Sequence, residues 1–261
     1  MSEREKILRY YRASGDAELA SRLVDLAENA LKSRKYKVSE FLDPFGFSIA
    51  ETIAAHYERL NLEADGGFPG AERVKIAFSD EDFLGKADYG LAALEARVDV
   101  RYYQISHRDV LGAVLALGIK REMIGDIIMT GHGCQIVCDA AMSEFISRSL
   151  VQIGAAAVEI APLPLASIAP REERVKEIRT TIASLRLDAV AAAGFGTSRT
   201  KMAGEIAADK VKVNWHDAKN AAQAVKAGDI ISMRGRGRVE VSEVLGQTKK
   251  GRTSILLKRF I

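Results

Sequence analysis

The sequence predicts an α+β protein built in three parts, and three observations carry the prediction. Apolar residues recur at helical steps near the N-terminus; short strand patterns and two helical stretches alternate between residues 74 and 160; a compact basic segment of short helices and strands follows from residue 184. With 261 residues, 48% of them apolar, the chain has ample length for one to three hydrophobic cores. Only five prolines and a balanced charge exclude a collagen-like, coiled-coil-only or disordered chain.

Residues 1–72 are expected to form a helical N-terminal domain. Ala17, Leu19, Ala20, Leu23, Leu26, Ala27, Ala30 and Leu31 fall at three- and four-residue steps, and Asp16 is placed to cap that helix. A second helix is expected over residues 48–60, after a break at Asp43-Pro44. The cluster Gly66-Gly67-Phe68-Pro69-Gly70 ends the region, because Gly and Pro interrupt helix continuity.

From residue 73 to 166 the pattern is that of an α/β plait. Residues 74–78 and 96–102 alternate like strands, and Ser106 caps a helix expected over residues 107–123. Residues 127–129 and 134–138 form a hairpin about Gly131-His132-Gly133, followed by a helix over 140–152 and a strand over 156–160. The order β-α-β-β-α-β is that of the ferredoxin-like plait, shared with RRM modules, although fold alone does not establish RNA binding. Where an RRM carries its stacking aromatics this chain has Gly133-Cys134-Gln135-Ile136-Val137, so base stacking on the sheet is not expected. Pro162, Pro164 and Pro170 mark a linker, with residues 167–183 read as linker and strand, the strand over 178–184.

The formal net charge of +3 conceals a division. Residues 1–185 carry 23 Lys+Arg and 28 Asp+Glu, a net of −5, whereas residues 186–261 carry 15 and 7, a net of +8. A basic segment on an acidic body points to a polyanionic partner for the C-terminal part. No stretch approaches the ~20 apolar residues that span a bilayer. The charged N-terminus lacks a secretory pattern, its acidic residues argue against a transit peptide, and two cysteines suit a reducing compartment. A cytoplasmic protein without membrane contact or cofactor is expected, with a monomer as the default.

The C-terminal module is the most specific part. Leu185-Arg186-Leu187-Asp188-Ala189-Val190 and the Gly194-Phe195-Gly196 loop lead to Ser198-Arg199-Thr200-Lys201, with Ser198 a good N-cap and Met202/Ile206 an i, i+4 apolar pair. A strand Val211-Lys212-Val213-Asn214-Trp215 follows, and a later strand is read through Arg234-Gly235-Arg236-Gly237-Arg238, whose three arginines share one face of an extended chain. Residues 184–245 closely resemble the S4 RNA-binding domain. Asp209 stands where that family usually has Gly, at a position needing positive φ, and Ala221-Ala222 replaces a turn that often contains Pro.

The resemblance extends over the whole chain. Phe41-Leu42-Asp43-Pro44, Gly66 to Arg73, His107-Arg108-Asp109-Val110-Leu111-Gly112, Gly118-Ile119-Lys120-Arg121-Glu122 and Ile124-Gly125-Asp126-Ile127 are similar to segments of the YlmH-type proteins, which share their layout with the photosystem II S4 domain proteins. Phe45-Gly46-Phe47 departs from the polar stretch usual there. The resemblance implies a helical domain, a plait and a C-terminal S4 domain over residues 184–261. It also implies a non-catalytic binder of rRNA or tRNA on the large ribosomal subunit, acting in quality control of stalled peptidyl-tRNA complexes.

Arg199, Lys201, Lys210, Lys212, Arg234, Arg236 and Arg238 are the candidate phosphate contacts, since guanidinium and ammonium groups engage phosphates and release counterions. Asn214 is a candidate base or ribose contact; Trp215 is another, against simple core packing as a strand-end residue. Lys120 and Arg121 on the plait are secondary candidates, against a solvated helix end. His107-Arg108-Asp109 lacks the other elements of a kinase site, and His132, Cys134 and Cys138 lack a fourth metal ligand. Gly194-Phe195-Gly196 lacks a Walker lysine. Two alternatives stand beside the RNA-binding factor: an S4-containing RNA-modifying enzyme, pseudouridine synthase or methyltransferase-like, and a photosystem-related RNA-binding factor.

Overall fold

The computed structural model describes residues 2–14, 16–168, 175–233, 235–248 and 251–260. It divides into two compact units, residues 1–171 and 172–261. Among the described residues no helix is long and apolar enough to cross a membrane.

Unit 1 begins with α1 (Glu3–Ser14), α2 (Ala17–Ser33), β1 (Tyr36–Val38), α3 (Pro44–Ala54), β2 (Leu60–Asp65) and β3 (Lys75–Asp80). The three strands form an antiparallel sheet in the order β1-β3-β2. Helix α2 buries Ala20, Leu23, Val24, Ala27 and Ala30, in one core with Ile49, Ile53, Ile76 and Phe78. Asp16 precedes α2, but its side chain makes no cap hydrogen bond. The break expected at Asp43-Pro44 is instead a helix start. Asp43 accepts from the Gly46 N–H at 2.8 Å and Pro44 is the first helical residue, so α3 begins four residues earlier than the apolar pattern suggests. Residues 60–65 are strand, not the end of that helix.

The strand expected to open the plait lies elsewhere. Residues 75–78 belong to β3, where Phe78 pairs with Lys37 on one side and Leu62 on the other. Alternation identifies the strand but not its sheet; that is decided by Ile76 and Phe78, which face the helices α2 and α3 across the first core.

The plait runs from β4 (Leu91–Arg97) through α4 (His107–Ala116), β5 (Ile124–Thr130), β6 (Gly133–Asp139) and α5 (Ala140–Ser149). A short ladder of β7 (Gln152–Ile153) and β8 (Ala156–Ala157) precedes the last strand, β9 (Glu159–Leu163). The sheet order β5-β6-β4-β9 is that of a ferredoxin-like plait. Ser106 and Asp109 form a reciprocal capping box on α4, and residues 121–123 are a separate 3-10 turn, not a continuation of that helix. Gly133 is required where β6 starts, because a Cβ there would lie 2.0 Å from the Ala96 carbonyl oxygen. On one face of the sheet Leu94, Cys134, Ile136 and Cys138 join the core that includes residues of α4 and α5. The other face is covered by the chain itself: Phe41, Phe68, Leu165 and Ile168 pack on Ala93, Ile128 and Val137.

Unit 2 comprises β10 (Val175–Ile182), α6 (Leu187–Phe195), α7 (Arg199–Ala207), β11 (Val211–Val213), β12 (His216–Asp217), β13 (Ile230–Met233), β14 (Gly237–Gln247) and β15 (Thr253–Phe260). Its sheet has the order β10-β15-β14-β13-β11-β12. The first and last strands of the unit are neighbours, paired from Val175↔Phe260 to Ile182↔Thr253. Leu187, Val190, Phe195, Met202 and Ile206 of the two helices meet Val239, Val241 and Leu257 in a single core. Helix α6 approaches β14 so closely that a Cβ on Gly194 would lie 2.7 Å from a methyl of Val239.

One expectation in this unit is corrected. The run at residues 235–238 is not one extended strand. The Arg236 N–H bonds back to the Met233 carbonyl, Gly235 and Gly237 have φ of 77° and 83°, and Met233 pairs with Gly237 across a hairpin turn. Arg236 is therefore at the turn and Arg238 in β14, so these two arginines do not share one strand face. Arg234 itself lies outside the described residues, as does Pro170 of the expected linker.

Candidate nucleic-acid interface

The basic surface of unit 2 is built from helix α7 and the strand ends beside it. Ser198 caps α7 by accepting from the Lys201 N–H at 3.2 Å, and Met202 and Ile206 anchor the opposite side in the core. Lys201 is thereby left exposed on the outer side of the first turn. Lys210 follows Asp209, whose φ of 53° supplies the left-handed residue expected there, and donates to Glu205 at 2.8 Å. Glu205 is held below the ordinary glutamate range, first by that hydrogen bond and then by the charges of Lys210, Lys201 and Arg236. Of these three, Lys210 contacts the carboxylate, while Lys201 and Arg236 act on it through their fields.

Arg199 stands at the start of the same helix and is half exposed. Its terminal Nη2 donates to both oxygens of Asp188, at 3.1 and 3.0 Å. Arg186 reaches the same carboxylate with Nε and Nη2, at 3.3 and 2.9 Å. Asp188 is buried and lies below the ordinary aspartate range, first through the Arg186 hydrogen bond and also through Arg199, against the opposing effect of burial. It holds two guanidinium groups in fixed directions with part of each still open to solvent. In the sequence, Arg186-Leu187-Asp188 resembles a pseudouridine synthase motif but reads as the opening of the S4 helix, outside any catalytic domain. The i, i+2 spacing of Arg and Asp across an N-cap is the signal that could have exposed this role.

The remaining candidates divide. Lys212 on β11 is half exposed and lies 3.4 Å from Asp217 across the β11–β12 ladder. Arg238 is half-buried, its guanidinium 4.5 Å from the centre of the Phe260 ring. Asn214 is committed inward: its amide donates to Asp229 at 3.0 Å and accepts from the Ile230 N–H at 2.8 Å. With Trp215 it forms the two-residue turn between β11 and β12, at φ of 48° and 67°. Trp215 is half-buried and outside the buried core, so it does not serve as the core residue that a strand end suggests.

On the plait, Lys120 is exposed, but Arg121 turns inward and donates to the carbonyls of Ile124 and Gly125. Burial, followed by the charge of Arg73, lowers the Arg121 guanidinium to about 10. His132 is exposed and bonded to Glu95 at 3.0 Å, while Cys134 and Cys138 lie in the plait core, where burial pushes both thiols up to about 12.

Three domain models match the chain: "YlmH, N-terminal" over residues 15–83, "Putative RNA-binding domain in YlmH" over residues 85–167 and "S4 domain" over residues 185–231. Fold and basic surface together define an RNA-binding protein of the S4 class. The "Ribosome-associated protein quality control protein P2" of Bacillus subtilis (strain 168) is 31% identical over 226 residues, covering 86% of this chain and 88% of that protein. The chain belongs to the YlmH family. A solved structure, "Cell division protein ylmH from Streptococcus pneumoniae", shares its fold with a TM-score of 0.51 at 21% identity, over 59% of this chain and 95% of that one.

Proposed function

We propose that this protein is a non-catalytic RNA-binding factor that engages rRNA or tRNA on the large ribosomal subunit, in ribosome-associated quality control of stalled peptidyl-tRNA complexes. The observation that carries the reading is the pair of arginines, Arg186 and Arg199, held on the buried Asp188 at the start of a helix pair whose next turn exposes Lys201. Cations fixed on a helix end and an adjacent turn suit a phosphate backbone, and an anchored guanidinium loses little freedom on binding. The quality-control setting is supported by the name of the Bacillus subtilis relative. The matched models describe RNA-binding domains and that relative is named a quality-control protein, which favours a binder over an RNA-modifying enzyme. Crosslinking to RNA in cells, with sequencing of the bound fragments, tests the reading. Peaks on large-subunit rRNA and tRNA are expected, and R199A/K201A/R236A should abolish them; scattered mRNA fragments, or a modified RNA product made by the purified protein, would overturn it.

A further inference from the structure

The sheet of the plait is closed as a platform for stacking bases. The face away from α4 and α5 is covered by Phe41, Phe68, Leu165 and Ile168, and β6 is buried from Gly133 to Cys138. Yet the model matched over residues 85–167 describes an RNA-binding domain. Any RNA contact made by this domain therefore falls outside its sheet faces.

The loop from β4 to α4 presents two aromatic rings to solvent. Tyr102 is 77% exposed and Tyr103 39%, next to Val100 at 49%. Aromatic side chains usually bury most of their surface, and Tyr102 does not. The backbone holds the rings there. The Asp99 carbonyl accepts from the N–H groups of Tyr102 and Tyr103 at 3.2 and 3.0 Å, and the Asp99 carboxylate accepts from the Arg101 N–H at 3.1 Å. Arg101 closes the turn with Nε and Nη2 on the two Asp99 oxygens, at 2.9 and 2.7 Å. Its guanidinium lies 5.5 Å from the centre of the Tyr102 ring. At the foot of the loop the Val98 N–H bonds to the His132 carbonyl at 3.0 Å, which ties the loop to the turn between β5 and β6.

Charge around the loop is balanced. Glu95 takes Arg97 and His132, Asp99 takes Arg101, and Asp109 is held in the α4 cap by Ser106, while Arg108 is exposed and Glu159 of β9 stands opposite Arg97. The loop therefore does not attract a backbone of phosphates as a basic surface does. Its chemistry suits the faces of unpaired bases, which stack on an aromatic ring whatever their sequence; bases inside a duplex already stack on one another. Two rings and a valine also fall short of the roughly 800 Å² that each partner buries in a stable protein–protein interface.

We propose that the plait binds single-stranded RNA at this loop, with Tyr102 and Tyr103 stacked on unpaired bases and Arg101 behind the Tyr102 ring. The proposal rests on the RNA-binding reading above and adds to it a contact whose contribution depends little on salt. Native, Y102A/Y103A and Y102F/Y103F full-length proteins are titrated by anisotropy with a labelled single-stranded RNA oligomer and with its duplex, over a range of salt. Y102A/Y103A is expected to weaken binding of the single strand about tenfold or more, with unchanged circular dichroism, unchanged duplex binding and a native slope of log K against log[salt]. Y102F/Y103F is expected to bind as the native protein does, because the ring stacks and the hydroxyl does not. Four outcomes would overturn the assignment: no binding of the single strand by the native protein, native affinity in Y102A/Y103A, an equal loss on the duplex, or lost cosedimentation with ribosomes at unchanged RNA affinity, which would point to a protein partner. The result stands apart from the function proposed above, which is decided by R199A/K201A/R236A and by the identity of the RNA crosslinked in cells.

Discussion

Asp188 and Arg199 are joined through one nitrogen shared between two oxygens, at 3.1 and 3.0 Å, and the same carboxylate receives the fork of Arg186. Asp188 therefore aims cations without being exposed to a ligand itself. Asp188→Asn should weaken RNA binding several-fold and cost about 1 kcal/mol of unit stability, because a neutral amide holds guanidinium groups less firmly and both arginines are partly screened by solvent. The pKa of Asp188 is depressed in the fold, so its stabilising contribution is present above the ordinary aspartate value and is lost as pH falls through the lower folded value. Denaturant titrations across acidic pH should show that loss in the native protein and a flatter profile in Asp188→Asn. Identical profiles would remove Asp188 from this role.

Arg199, Lys201 and Arg236 should each account for part of the salt dependence of RNA binding. In R199A/K201A/R236A the slope of log K against log[salt] should shrink by about 0.7–0.9 for every phosphate that is no longer neutralised. A slope unchanged from the native protein would place the phosphate-binding residues elsewhere.

Trp215 occupies a left-handed backbone position that disfavours bulky side chains. Replacement by glycine relieves that strain while giving up a half-buried indole. Trp215→Gly should therefore leave stability within about 1 kcal/mol, yet lower RNA affinity about tenfold if the indole stacks on a base. Stability by urea titration and affinity by filter binding separate the two effects. An affinity equal to native would leave the indole without a role in binding.

Gly194 and Val239 set the distance between α6 and β14. A Cβ at residue 194 meets both methyl groups of Val239, at 2.7 and 2.9 Å, and a β-branched side chain has little freedom to move aside. Gly194→Val should cost about 1–3 kcal/mol, read as a lower urea midpoint. Val239→Ala in the same background should return part of that loss.

Lys75 and Asp139 form a buried ion pair at 2.5 Å in unit 1, and Asp139 also caps α5 by accepting from the Ala141 N–H. Asp139→Ala strands the Lys75 ammonium on backbone carbonyls and opens the cap, for an expected loss of about 3–5 kcal/mol. The double variant Lys75→Met/Asp139→Ala should be less damaged than Asp139→Ala, since the uncompensated charge is gone. Thermal melts of the three proteins decide this.

Much of the local structure could be read from single residues. Ser106 with Asp109, Ser198 before α7 and the left-handed Asp209 all act within three or four residues of chain, the range over which side-chain chemistry settles backbone geometry. What the sequence concealed depends on distant partners. Nothing local to residues 74–78 indicates that the strand pairs with β1 and β2 and not with the plait. The alternating arginines at 234–238 suggest a strand face, but Gly235 and Gly237 allow positive φ and the chain reverses there. Phe41 lies in a loop before α3, and no periodicity predicts that it covers the far side of the plait sheet, where an RRM would stack bases.

The pairing of β10 with β15 bears on how the RNA-binding unit comes into being. Residues 175–182 and 253–260 bracket every basic residue of the helix-and-turn surface, and each supplies the other's ladder. A nascent chain that stops short of β15 leaves Ile178 and Ile182 without their partner strand and the helices α6 and α7 on an incomplete sheet. Such a fragment contains all the arginines and lysines of α7, yet lacks Ile255 and Leu257 of the core beneath that helix. The sheet of this unit is therefore complete only once its last strand has been made.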